Sequence, residues 1–376
     1  MNILIAPNAF KNSLDAQSVA EAIALGLQQS KADCKCQLFP VGDGGDGTGE
    51  LLVKHLNGER IEVQVHDALG RPITSHFGLV DDGRTAIIEM ADASGLRLLR
   101  PSELNPLYAN SYGTGELIKA ALDKGVNKII VGMGGSATVD GGAGILQALG
   151  IRFINVDDEV VTGGPSSFSE LKHIDTMGLD KRILNCEISI LCDVDNKLTG
   201  PEGAAAIFGP QKGADQIDVM LLDSLLLWFA TIQAHQTGRD IINLKHGGTA
   251  GGAAAGMFAF LNAKLIPGAD NFLKLAHFDE ALKNADLVIT GEGSIDEQTL
   301  HGKAPAAVAM AAKQKGIKVI GVAGKVPEDT SAALNQYFDR LISINKAPVD
   351  LETALKNTRQ NLIATGKEIG DSIADA

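Results

Sequence analysis

The feature that most constrains this chain is a repeated local grammar: a short apolar run, then a loop of glycines and acids, then a stretch with helical periodicity. A βα unit of this kind buries its strand on both faces and presents ligands to the loop at the strand's carboxyl end. The clearest instance covers residues 286–316. It has the run Asp286-Leu-Val-Ile-Thr290, the loop Gly291-Glu-Gly-Ser-Ile-Asp-Glu-Gln-Thr-Leu-His-Gly-Lys303, and a helix opened by Pro305. Glu292, Asp296 and Lys303 crowd that loop, and two carboxylates with a cation beside a helix N-terminus suit a metal and a phosphate. The loop is not a Walker A motif, because its glycines are misspaced before Lys303 and Ala304 stands where Ser or Thr is required.

Read in order, the chain shows the same grammar at its start. A strand over residues 2–6 runs into Pro7-Asn-Ala-Phe-Lys-Asn-Ser13 and a helix with Ala16, Val19, Ala20, Ile23 and Leu27 on one face. A second strand near residues 37–41 ends in Gly42-Asp-Gly-Gly-Asp-Gly-Thr48, with Thr48 placed to cap a helix. The periodicity then changes to three strands over 61–65, 73–80 and 85–90, joined by turns. An antiparallel meander does not continue a doubly wound sheet, so a second domain begins there.

Within that second region Thr114 is placed to cap a helix ending at Gly125, and the strand 128–133 delivers Gly134-Gly-Ser-Ala-Thr-Val-Asp-Gly-Gly142. Another strand, 187–192, ends in Asp193-Val-Asp-Asn196, and an amphipathic helix is expected over 215–235. βα grammar resumes at residue 286 with strands at 286–290, 318–322 and 340–344. Five βα units suit an α/β fold of two domains: a flavodoxin-like, doubly wound sheet of order 2-1-3-4-5, interrupted by an inserted mixed α/β domain. The expected boundaries are 1–61 with 285–376 for the sheet domain and 62–284 for the insertion. In that order the switch point lies between residues 8–13 and 291–303.

Composition narrows the function. The chain has 376 residues, is 45% apolar and 21% charged, and has room for two well-buried cores. A net charge of −13 without a local basic patch opposes binding along a nucleic-acid backbone. The four cysteines contain no CxxC pair, which argues against zinc or a disulfide framework and for a reducing compartment. No secretory leader is read at the start, and the longest apolar run, near 225–232, is too short to span a bilayer; a cytoplasmic protein without a membrane partner is expected. The eight histidines form no HxxxH or HxH cluster and no G-x-S-x-G elbow occurs, so triad hydrolysis is disfavoured. Aromatics are only 4% of the chain, so a nucleobase would have to lie in an aliphatic slot.

The remaining loops carry two readings each. In Asp43-Gly-Gly-Asp-Gly-Thr48 the glycines can form an anion nest and the acids can bind Mg²⁺ or hydroxyls, or the segment is an Asp-Gly turn capping a helix. Asp193, Asp195 and Asn196 at a strand end offer a base toward a hydroxyl, or ordinary turn formers. Gly134-Gly-Ser136 with Asp140 has the form of a phosphate cradle that lacks its own lysine; Lys212 and Lys11 are candidate cations from other loops, or solvated surface charges. The repetition of glycine plus acid after an apolar strand at five places tips these odds toward ligand binding.

Taken together, Ala9-Phe-Lys-Asn-Ser13, Gly42-Asp-Gly-Gly-Asp-Gly-Thr48, Glu89-Met-Ala with Ala93-Ser-Gly95, Ser111-Tyr-Gly-Thr-Gly-Glu-Leu117, Gly134-Gly-Ser-Ala-Thr-Val-Asp-Gly-Gly142, Cys192-Asp-Val-Asp-Asn196, Phe208-Gly-Pro-Gln-Lys-Gly213, Gly291-Glu-Gly-Ser-Ile-Asp296 and Gly302-Lys-Ala-Pro305 resemble the class I bacterial glycerate kinases, in the same order over essentially the whole chain. The resemblance implies ATP-dependent phosphorylation of D-glycerate, usually to 2-phosphoglycerate, with Mg²⁺ and two domains. Phosphoryl transfer needs positioning and charge neutralisation, and on that ground Asp193 is expected as base or hydroxyl orienter, Lys11 and Lys303 as cations neutralising phosphate or the glycerate carboxylate, and Glu292 and Asp296 as holding Mg²⁺ directly or through water. Asn8, Ser13, Asp43, Gly44, Gly45, Asp46, Thr48, Thr114, Gly134, Gly135, Ser136, Asp140, Asn196 and Lys212 would bind substrate or nucleotide. Four positions depart from the family pattern: Ala9 stands where Ser is common, Asp46 where Glu is, Ser294 where Arg is, and His301 where Gly is. Two rival readings are a kinase for another small hydroxy acid, separable by assays on lactate and tartrate, and a non-catalytic sugar-acid sensor, which would lack ATP turnover.

Overall fold

The structure, a computed structural model, describes residues 1–327, 329, 331–347 and 349–375. The chain forms two compact α/β units, Met1–Asp43 with Pro267–Ala376 and Gly44–Ile266.

The first unit holds a five-stranded sheet whose spatial order is Arg340–Ser343, Lys318–Lys325, Leu287–Ser294, Asn2–Ile5 and Lys35–Leu38. Every neighbouring pair is parallel. The central strands are apolar along their length because helices cover both faces. Ile3, Ile5, Leu287, Ile289 and Val322 meet Val19, Ile23 and Leu27 of the helix Ala16–Gln28, and Leu362 and Ile369 of the helix Leu351–Ala374. Asp15 starts the first of these helices by accepting from Ser18 N at 2.8 Å.

The second unit holds a six-stranded sheet in chain order: Glu59–His66, Pro72–Val80, Thr85–Glu89, Lys128–Gly132, Glu187–Cys192 and Lys264–Pro267. The first two junctions are antiparallel, as the meander pattern predicts, and the next two are parallel. The carboxyl ends of Glu59–His66, Thr85–Glu89, Lys128–Gly132 and Glu187–Cys192 therefore share one edge of this sheet. A small sheet, Val160–Val161, Arg152–Asn155 and Leu171–Asp175, has no counterpart in the sequence reading. Its core stacks Phe153 and Phe168 on Phe229.

The observed boundaries fall at 43/44 and 266/267, where the sequence reading has 61/62 and 284/285. The helix Thr48–His55 belongs with the second unit because it packs on the strand Thr85–Glu89, whose last residue binds its amides. The helix Gly268–Leu275 belongs with the first because it packs on Ala304–Gln314. The long helix Gln216–Thr237 is not cleanly amphipathic: Leu222, Leu226 and Phe229 are buried, whereas Ile217, Met220 and Trp228 are exposed. By length and composition it is the one helix among the described residues apolar enough to cross a membrane. Its buried face, however, packs inside the second unit against residues 165–175.

Candidate functional site

In the first unit the loop after Asn2–Ile5 lies directly beside the loop after Leu287–Ser294. Asn8 N donates to Gly291 O at 2.8 Å, and a Cβ on Gly293 would approach Lys11 N at 3.9 Å. Asn8 also donates through Nδ2 to Asp43 Oδ2 at 2.8 Å, which gathers Asp43 to the same place. Lys11 is exposed. Ser13 turns away, giving its hydroxyl to Leu355 O at 2.8 Å.

Glu292 sits at the end of its strand and is 8% exposed. Burial pushes its carboxyl pKa up; Lys303 and a hydrogen bond from Thr299 oppose that rise, and the neighbouring Asp43 adds to it. Lys303 Nζ stands 3.5 Å from Glu292 Oε1. Asp296 caps the turn Glu297–Leu300 by accepting from Gln298 N at 2.8 Å. Thr299, which sequence reasoning missed, is fully buried between the two acids: it accepts from Asp296 N at 3.1 Å and donates to Glu292 Oε1 at 3.0 Å. The spacing Asp296-x-x-Thr299 is a capping-box pattern and marked it in advance.

In the second unit three predicted loops converge. Gly44 adopts φ +98°, and a Cβ there would lie 2.7 Å from Leu191 O and 3.4 Å from Asp193 N. Gly44 O accepts from Met133 N at 3.3 Å and Gly134 N at 3.2 Å. A Cβ on Gly134 would meet Asp46 N at 2.0 Å, so only glycine permits this backbone approach. Gly135 O accepts from Leu96 N at 2.8 Å, and Gly45 O accepts from Thr48 N at 3.3 Å. Asp193 is exposed, and Asp46 faces Arg97 at 3.7 Å. Asn196 donates to Glu202 O at 2.8 Å.

Lys212 is brought to the 134–142 turn. It is 2% exposed, with Nζ 2.9 Å from Ser136 Oγ and 2.7 Å from Thr138 O. Burial lowers its pKa to about 7, partly opposed by Asp140. Asp140 is fully buried and accepts from Ser111 N, Ser111 Oγ, Gly142 N and Gly144 N, at 2.7–3.1 Å. Those donors give it a fastening role that its sequence setting did not reveal.

Two capping expectations are corrected. Thr48 is not the cap of its helix; the cap residue is Gly47, and Thr48 Oγ1 accepts from Gly44 N at 3.1 Å. The capping acceptor is Glu89, which takes Gly47 N at 3.1 Å and also Gly49 N. Burial outweighs these bonds and raises Glu89 to about 7, with Asp92 and Asp46 adding to the rise. Thr114 lies inside the helix Tyr112–Asp123, whose cap residue is Ser111, and its hydroxyl pairs with Ser94 Oγ at 2.8 Å.

Each unit thus gathers its own set of groups. The first holds Glu292 near Asp43 and Lys303, hard oxygens beside a cation, and among the described residues no group of three metal-ligating side chains is assembled. The second holds glycine-lined turns with a buried ammonium and an exposed carboxylate, suited to an anion and a hydroxyl.

Comparison with known proteins agrees in length as well as in motif. Residues 3–374 match the model of the glycerate kinase family. The chain is 45% identical to the glycerate kinase of Bacillus subtilis (strain 168), over 99% of this chain and 98% of that protein. It is 39% identical to the glycerate 2-kinase of Escherichia coli (strain K12), over 100% and 98%. The crystal structure of a candidate glycerate kinase 2 from Salmonella typhimurium LT2 superposes with a TM-score of 0.83 at 42% identity, covering 100% of this chain and 98% of that one.

Proposed function

The chain belongs to the glycerate kinase family and is an ATP-dependent glycerate kinase, and from that premise we propose that it phosphorylates D-glycerate at C2, giving 2-phosphoglycerate and ADP. The observation that carries the reading is Lys212. Its ammonium is buried against two neutral acceptors, Ser136 Oγ and Thr138 O, inside a glycine-lined turn. A buried cation left without a bonded carboxylate favours an incoming anion.

Phosphoryl transfer asks the protein mainly to position the reactants and neutralise charge. Lys212 lends positive potential to the 134–142 turn, where Gly135 and Ser136 offer backbone N–H groups to phosphate, while the Gly134 and Gly44 amides, held by Gly44 O and Thr48 Oγ1, shape the two loops. Asp193 orients the acceptor hydroxyl and takes its proton. Lys11 and Lys303 neutralise phosphate or the glycerate carboxylate. Mg²⁺ fits the acids of the first unit, because Glu292 is a buried carboxylate already crowded by Asp43 and gains from an added positive charge. Glu292 would hold it, with Asp296 contributing directly or through water. When bound, the ion neutralises the phosphate oxygens.

We read the five-stranded sheet as flavodoxin-like, with the second unit inserted after its second strand, and the protein as a soluble cytoplasmic enzyme without nucleic-acid or membrane partners. The test is ADP release with glycerate, lactate or tartrate as acceptor, in the wild type and in Asp193→Asn. Turnover confined to glycerate and lowered about 100-fold in the variant supports the reading. Near-normal turnover in the variant removes Asp193 from the chemistry, and preference for another acid replaces the substrate.

A further inference from the structure

One motif picked out in the sequence, Ser111-Tyr-Gly-Thr-Gly-Glu-Leu117, has no part in the chemistry above. In the structure its Tyr112, with the preceding Asn110, lines a cavity of about 390 Å³ in the second unit, together with His66, Gln147, Arg152 and Thr162. That volume lies within the range of small-molecule pockets. His66 closes the strand Glu59–His66, whose carboxyl end lies at the same end of the sheet as that of Lys128–Gly132.

The lining has a definite chemistry. His66 Nδ1 and backbone N both meet the Glu116 carboxylate, at 3.0 and 2.7 Å, which makes Nδ1 the donor. The Tyr112 ring stands edge-on to His66 with centroids 6.1 Å apart. Asn110 Oδ1 accepts from Tyr112 N at 3.0 Å, which directs Nδ2 elsewhere as a donor. Gln147 Nε2 donates to Val161 O at 2.7 Å, leaving Oε1 as an acceptor. Arg152 is neutralised by Asp175. With its one arginine paired, the cavity suits a neutral heteroaromatic ring bearing adjacent donor and acceptor positions better than it suits phosphate or glycerate.

The wall is also fastened to the turn assigned to phosphate. Ser111, between Asn110 and Tyr112, gives both its N–H and its hydroxyl to Asp140, and Asp140 holds Gly142 N and Gly144 N. The helix Ala143–Ala148 then carries the chain from that turn to Gln147. We propose that this cavity is the nucleobase pocket, taking the adenine of ATP against Tyr112 and His66, with Asn110 Nδ2 donating to N1 and Gln147 Oε1 accepting from the N6 amino group. The assignment rests on the ATP-dependent kinase reading.

The test compares ATP with ITP, which replaces the N6 amino group by a carbonyl, in the wild type, Gln147→Met and Tyr112→Ala, with thermal unfolding as a check on folding. The wild type should favour ATP in kcat/KM by about tenfold, the scale of one unpaired buried acceptor. Gln147→Met should lower that preference to about threefold, the remainder lying with Asn110 because ITP carries a proton on N1. Tyr112→Ala should raise KM for ATP about tenfold and leave KM for glycerate within about twofold, as loss of a base-stacking contact predicts. A folded Gln147→Met that keeps the wild-type preference, or a folded Tyr112→Ala with an unchanged KM for ATP, overturns the assignment while the kinase reading stands. A wild type that does not phosphorylate glycerate with ATP overturns both.

Discussion

The ammonium of Lys212 lies 2.9 Å from Ser136 Oγ, in a turn 76 residues earlier in the chain. Neither residue explains itself alone: a serine after two glycines is an ordinary turn, and a lysine flanked by glutamine and glycine reads as a surface charge. Together they form a buried amine whose charged form an incoming anion would favour.

Burial lowers the Lys212 pKa from the ordinary 10.5 to about 7, and that shift has a measurable consequence. Between those values the unfolded chain holds a proton that the folded protein has released, so stability rises with pH across the window. Relative to Lys212→Met, the wild type should gain up to about 1.4 kcal/mol per pH unit between pH 7 and 10. Denaturant unfolding across that range measures it. The same variant should lose about 100-fold in kcat/KM for ATP, the scale of removing one electrostatic partner of a phosphate site.

Glu89 has the opposite slope. Its carboxyl is raised from 4.5 to about 7 by burial, so between those values the folded protein holds a proton that the unfolded chain has lost. Stability from this group is fully present below pH 4.5 and is lost as pH climbs through 7. Glu89→Gln keeps an oxygen for the Gly47 and Gly49 amides and removes the titration. Unfolding at pH 5 and pH 7.5 should show a smaller loss of stability in the variant than in the wild type.

Thr299 tests the acids of the first unit without substituting either. Thr299→Val removes the hydroxyl that donates to Glu292, and losing a bond to the ionised form raises that carboxyl further. Mg²⁺ activation at fixed ATP should shift to about tenfold higher concentration, as supporting hydrogen bonds to a metal ligand predict.

Much of this was legible in the sequence, for a physical reason. Strand segments covered on both faces, such as Asn2–Ile5 and the first half of Leu287–Ser294, are apolar, and glycine with acid after each run marks a loop. The strand Leu287–Ser294 outruns the expected end at Thr290 because Gly291 and Glu292 continue the pairing with Val322 and Ala323, a bond pattern that hydropathy does not record. The small sheet around Arg152–Asn155 was invisible because its strands are short and Pro165–Glu170 interrupts them. Glu89 was missed as a cap because the amides it serves lie 40 and 42 residues away. Asp140 looked like a ligand because nothing local shows that Ser111 fills its carboxylate. Thr299 alone had a nearby signal.

The most direct test is the product itself. Purified protein incubated with ATP, Mg²⁺ and D-glycerate, followed by phosphorus and carbon NMR, should give 2-phosphoglycerate and ADP in equal amounts. Formation of 3-phosphoglycerate would contradict phosphorylation at C2, and ATP left unconsumed would contradict the kinase.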